Sequence, residues 1–138
     1  MSETVTVENL KNKIEKMQRG GNISKAIEMC QSALQYDPTN AELHIRLGDL
    51  YLENHLDIYQ PKQFLDEAIL EYQRALESNL NSSEIHYKLG CAYYYKGELE
   101  KALNHFSISL EYNKDYSDAY YMTAKIFAKR DRITEAID

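Results

Sequence analysis

Tryptophan is absent from this chain, and proline, cysteine and glycine occur only twice, twice and five times. So few breakers favour long helices over a many-turned β structure. Cys30 and Cys91 lie far apart and form no CxxC pair, so they read as reduced, structural thiols. No apolar run approaches the roughly 18 residues that span a bilayer. The opening MSETVTVENLKNKIEK lacks the basic-then-apolar order of a secretory signal. A basic excess is missing too, since 16 Lys and Arg face 22 Asp and Glu, for a net charge of −6. Phosphate backbones and anionic bilayers require the opposite balance, so neither nucleic acid nor membrane is expected as a partner. There is no Gly-rich phosphate loop, no GxSxG, no HExxH and no spaced cluster of metal-binding side chains. The expectation is a cytoplasmic protein that is not an enzyme and needs no cofactor or metal.

What is present is a repeat. HIRLGDLY (44–51) and HYKLGCAY (86–93) share His, two residues, Leu-Gly, two residues, Tyr. Each precedes a second pattern, AILEYQRAL (68–76) or ALNHFSISL (102–110), with an aromatic four residues after the Ala and a small residue three further on. AIEMCQSAL (26–34) is a third copy with Cys30 in the aromatic position. Ala68 to Ala102, Ala102 to Ala136, Gly90 to Ala124 and Ile14 to Gly48 are each 34 residues apart. Gly48 to Gly90 is 42, so the second copy carries eight extra residues. Apolar residues recur at helical spacing in both patterns, and breakers fall between them at Gly20-Gly21, Asp37-Pro38 and Gly97. Seven helical segments follow, arranged as three complete pairs and one cut short. With 43% hydrophobic residues, the chain can bury the core of one domain, 1–138. Its copies span about 7–40, 41–82, 83–116 and an incomplete 117–138.

A period of 34 with Leu-Gly-x2-Tyr, then Ala-x3-aromatic, resembles the tetratricopeptide repeat. The second copy fills the slots with Leu47, Gly48, Tyr51, Ala68, Tyr72 and Ala75, the third with Leu89, Gly90, Tyr93, Ala102 and Phe106. His44, His86 and Tyr120 occupy the slot that opens the motif with Trp, where a packing role is expected. Pro38 fills the proline slot, which Leu80 and Lys114 take in later copies. The resemblance implies an all-α, right-handed α-solenoid of antiparallel helix pairs, about three and a half repeats, with a concave inner surface made mainly by the first helix of each pair. Small residues at Gly48, Gly90, Ala124, Ala26, Ala68, Ala102 and Ala136 are expected where the helices of a pair cross closely. The extra residues fall in ENHLDIYQPKQFLDEA (53–68), which reads as a loop over 56–60 and a longer second helix starting near Pro61. Leu56, Ile58 and Tyr59 would be its contact surface.

The implied function is a non-catalytic scaffold that binds a peptide or protein in the concave groove. Helical spacing selects Ile45, Asp49 and Leu52 on one first helix, Tyr87, Cys91, Tyr94 and Tyr95 on the next, and Tyr121 and Lys125 on the last. Tyrosine suits such a surface because it brings large area at low entropic cost. Family members that clamp a chaperone's C-terminal carboxylate use Lys, Asn and Arg in slots that here hold Lys11, Glu15, Arg46, Glu84 and Lys88. Starting one repeat later gives Ile45, Asp49, Lys88, Asp118 and Met122, so neither register builds the clamp. The asparagine ladder of sugar-transferase-linked repeats is also missing, with Asn12, Arg46, Lys88 and Met122 in its place. An alternative expectation is the regulatory or substrate-docking arm of a larger enzyme, such as a glycosyl- or sulfotransferase, cut within RITEAID. A further one is self-association through the C-terminal edge formed by Ile133, Ala136 and Ile137.

Overall fold

The computed structural model describes the backbone of residues 3–58, 63–78 and 82–137, and the side chains of 8–54, 63–78 and 82–132. Among the described residues there are seven helices and no strand: α1 (Glu3–Arg19), α2 (Ile23–Tyr36), α3 (Ala41–Ile58), α4 (Gln63–Glu77), α5 (Ser83–Lys96), α6 (Leu99–Tyr112) and α7 (Ser117–Ile137). They form two compact units, Met1–Leu80 and Asn81–Asp138. In the first, α1 packs on α2, α2 on α3 and α3 on α4; in the second, α5 and α6 pair and α7 packs against both.

The helix ends follow from local chemistry. Asn22 and Ser82 cap α2 and α5, each side-chain oxygen accepting from the backbone N–H three residues on. Asn40 does the same for α3, accepting from the Leu43 N–H at 3.0 Å. Gly97, at φ +90°, ends α5 in a left-handed turn, with the Glu98 N–H donating back to the Tyr93 carbonyl. Gly21, at φ +81°, turns the chain between α1 and α2 in the same way.

The close crossings of the middle two pairs lie where the repeat pattern places them. A Cβ on Gly48 would come within 2.6 Å of the Tyr72 ring, and one on Gly90 within 2.5 Å of the Phe106 ring. Both rings are fully buried, as are Ala26, Ala68 and Ala102. The first pair inverts the sizes: Ile14 stands in the glycine slot and Cys30 in the aromatic slot, both at 0% exposure. A large–small exchange of this kind conserves volume. Ser83 and Ser109 also lock α5 to α6 reciprocally, each hydroxyl donating to the other's backbone carbonyl at 2.8 and 2.7 Å.

Three expectations need correction. The insertion lengthens the first helix of its pair, α3 having 18 residues where α5 has 14, and the expected start of the second helix near Pro61 lies outside the described residues. Residues 52–58 contain no glycine or proline, so nothing stops α3 where a loop was expected. Tyr59 and Pro61 lie outside the described residues, as do the side chains of Leu56 and Ile58. Ala136, expected on a second helix that crosses its partner, instead continues α7, which runs unbroken to Ile137. Asp131 stands 34 residues after Gly97, and without glycine the left-handed turn that ends α5 is disfavoured there. Ala124, expected at a close crossing, is consequently exposed, since no described residue folds back across it. The edge side chains Ile133, Ala136 and Ile137 lie outside the described residues.

Candidate partner-binding site

In the second unit, α5 and α7 bring a group of tyrosines and lysines together. The Tyr94 ring lies under two ammonium groups, Lys129 Nζ at 5.2 Å and Lys125 Nζ at 5.5 Å from its centroid. Lys125 is shared with Tyr121, whose ring centroid is 5.4 Å away, so this one charge lies between two aromatic faces. Tyr95 meets Tyr94 edge-on at 5.4 Å. Tyr95 is 40% exposed and Tyr121 64% exposed, so both present broad apolar area to solvent beside fixed positive charge.

Tyr87 and Cys91, one turn apart on α5, lie deeper. Tyr87 is half-buried, its ring tilted on Phe106 at 5.8 Å and edge-on to Tyr116 at 5.2 Å. Burial, then a hydrogen bond with Cys91, hold its hydroxyl far above the ordinary tyrosine range. Burial likewise raises the Cys91 thiol, and pushes the fully buried Cys30 thiol up to about 12. Neither thiol is a ready nucleophile.

In the first unit, Ile45, Asp49 and Leu52 are all half-buried on α3. Asp49 accepts a 2.6 Å hydrogen bond from the Tyr72 hydroxyl. The next copy replaces both partners: Phe106 has no hydroxyl, and Cys91 stands where Asp49 would be. This pairing escaped the sequence reading, although the joint change of Asp/Tyr to Cys/Phe was its available signal. A polar ladder crosses from α1 to α3, with Lys11 on Glu42 at 2.7 Å, Arg46 on Glu15 at 3.0 Å and Gln18 on Glu53 at 2.7 Å. The cations in the slots of a carboxylate clamp therefore already hold carboxylates of this chain, Lys88 beside Glu84 at 3.7 Å included.

The histidines in the motif's opening slot are 6% and 7% exposed. His44 Nε2–H donates to the Pro38 carbonyl at 2.7 Å, and Nδ1 meets Glu71 Oε2 at 2.6 Å. Arg74 donates to the other Glu71 oxygen at 2.7 Å. His86 and His105 meet Nδ1 to Nδ1 at 3.2 Å, one as donor and one as acceptor. Tyr112 stacks on His86 at 5.8 Å and Tyr93 on His105 at 5.4 Å. Burial lowers the proton affinity of both imidazoles, and His86 lowers that of His105 further. These side chains pack and link helices. A cleft of about 960 Å³ opens beside His44, lined by α2 and α4 through Gln31, Leu34, Glu67, Glu71 and Arg74. Its most buried charge, Glu71, is already held by His44 and Arg74.

Among the described residues no group of three or more His, Cys, Asp or Glu side chains could hold a metal ion, and no helix is long and apolar enough to cross a membrane. Two tetratricopeptide repeat models match the chain, over residues 19–56 and 87–138. The uncharacterized protein MJ0572 of Methanocaldococcus jannaschii is 34% identical over 61 residues, 44% of this chain and 71% of that protein. The crystal structure of MamA superposes with a TM-score of 0.78 at 23% identity, over 91% of this chain and 64% of MamA. The first such repeat domain of Spaghetti (RPAP3), bound to the HSP90 peptide SRMEEVD, superposes with a TM-score of 0.79 at 20% identity, over 91% of this chain and 93% of that one. The shared architecture is an all-α helical-repeat solenoid.

Proposed function

The chain belongs to the tetratricopeptide-repeat family, and on that premise we propose that it is a non-catalytic scaffold binding a protein or peptide along the first helices of its repeats. The observation that carries this reading is the tyrosine–lysine patch of α5 and α7. Tyr95 and Tyr121 offer exposed rings, and Lys125 is held between Tyr94 and Tyr121 before any partner arrives. Ordering a long lysine in advance reduces the entropy lost on binding. The chemistry suits a segment with an apolar or aromatic side chain flanked by a carboxylate: the rings cover the first and the lysines attract the second. Tyr87 and Cys91 on α5 complete this proposed set, and Ile45, Asp49 and Leu52 on α3 are the proposed contacts of the first unit.

The first such repeat domain of RPAP3 is bound to the HSP90 peptide SRMEEVD. In this chain Lys11 and Arg46 are spent on Glu42 and Glu15, which supports a partner other than a chaperone tail.

The test is affinity capture with the wild-type chain and with a Tyr94→Ala, Tyr121→Ala variant. The reading expects the double variant to lose partners that wild type retains while keeping its helical circular dichroism. A variant that retains every partner would overturn recognition at this patch.

A further inference from the structure

The cleft beside His44 lies wholly within the first unit, so it is independent of the tyrosine–lysine patch of α5 and α7. Its volume of about 960 Å³ falls within the roughly 300–1,000 Å³ of ligand pockets. α4 and α2 form its walls, and α3 supplies the floor, where Leu47 is 2% exposed. Glu67, Glu71, Arg74 and Glu77 all line it from α4. In the middle, Glu71 is satisfied, with His44 on one oxygen and Arg74 on the other. Towards the two ends stand Glu67 and Glu77, both exposed and neither ion-paired with any described residue. They are ten residues apart in sequence, which on a helix is about 15 Å.

A buried donor also opens onto this cleft. Tyr51 is 8% exposed, and its hydroxyl accepts from Gln31 Nε2 at 3.0 Å. A hydroxyl donates as well as accepts, and among the described residues no group accepts the Tyr51 proton.

Together these groups call for two cations and a hydrogen-bond acceptor, with apolar surface between them to meet Leu34 and Leu47. We propose that the cleft binds an extended basic segment of a partner protein. One Lys or Arg of the segment pairs with Glu67 and another with Glu77, while a backbone carbonyl between them accepts from Tyr51. At about 3.3 Å per residue, a span of about 15 Å sets the two cations four or five positions apart. A free polyamine carries similar charges but has no carbonyl for Tyr51. Three carboxylates against the single guanidinium of Arg74 disfavour an acidic segment.

Amide shifts in NMR spectra of the isotope-labelled full chain detect such binding up to about 5 mM in ligand, where affinities of a few kcal/mol still register. The probes are acetyl-Arg-Ala-Leu-Ala-Arg-amide, the same peptide with Glu replacing both Arg, and spermidine. The arginine peptide should shift amides along the cleft, within 31–39, 44–51 and 67–78, and the glutamate peptide should not. Spermidine should bind at least about tenfold more weakly than the arginine peptide. Glu67→Gln combined with Glu77→Gln changes exposed side chains, so the fold should persist while the arginine peptide weakens at least about tenfold. Tyr51→Phe should weaken the arginine peptide about threefold and leave spermidine unchanged. The Tyr94→Ala, Tyr121→Ala variant should bind the arginine peptide as wild type does, which separates this cleft from the patch of α5 and α7. No shifts along the cleft, equal binding of the other two probes, or full binding by the Glu67→Gln, Glu77→Gln chain would overturn the proposal.

Discussion

Replacing Gly90 by alanine should destabilise this protein, although alanine is the better helix former by about 1 kcal/mol. The added methyl would stand 2.5 Å from Phe106 Cε1, 2.7 Å from Cδ1 and 2.9 Å from Cζ. Three ring atoms lie inside the distance of ordinary carbon contact, and the ring is 0% exposed, so it has no open side to move into. Relief requires α5 and α6 to separate, against the Ser83–Ser109 link at their ends. Overpacking of this severity belongs at the upper end of roughly 1–3 kcal/mol. After the propensity gain, the expected net loss is about 1–2 kcal/mol, or a fall of roughly 4–8 °C in Tm. Urea titration followed by circular dichroism measures it. Gly20→Ala is the control, because its Cβ would meet only backbone oxygens at 3.5 and 3.6 Å, ordinary contact distances. Combining Gly90→Ala with Phe106→Leu should cost less than the two single losses added, since the smaller side chain makes room. A Gly90→Ala protein as stable as wild type would refute the reasoning, and the glycine slot would then need another explanation.

Tyr72→Phe should cost about 1–2 kcal/mol by removing the hydroxyl donor from the Asp49 carboxylate. In a double-mutant cycle Asp49→Ala should cost less when Tyr72 is already Phe, and additive losses would show that the 2.6 Å contact contributes nothing. Stability should also fall as pH drops below about 6.5, the ordinary histidine value, because the unfolded chain then takes up protons that His86 and His105 resist when folded. Above that pH the contribution is fully present, and it is lost as pH falls towards the depressed folded values. His105→Gln should flatten the stability profile between pH 6.5 and about 5, before the carboxylates titrate. An unchanged slope would remove these two side chains from the account.

Much of the fold could be read from one dimension, because a tandem repeat writes the same local instructions several times. The 34-residue spacing, the glycine-aromatic pairs and the caps at Asn22, Asn40 and Ser82 act within a turn or between neighbouring helices. Such short-range interactions are visible as recurring letters. Helical periodicity also separates Tyr93 from Tyr94 and Tyr95, since adjacent residues are about 100° apart around the axis. Tyr93 is 9% exposed beneath α6, and Tyr95 is 40% exposed.

Packing in three dimensions decided the rest. Helical spacing sets Lys125 beside Tyr121, but no spacing rule brings Tyr94 to Lys125 or joins His86 to His105, because those contacts depend on how far one helix slides along another. The eight inserted residues could have extended either helix of their pair, and only the continuous run through Ile58 assigns part of them to α3. Asp131 in place of a glycine changed more. Without a left-handed stop, α7 continues as one helix, and the face that its repeat register would bury is left open at Tyr120, Ala124 and Phe127.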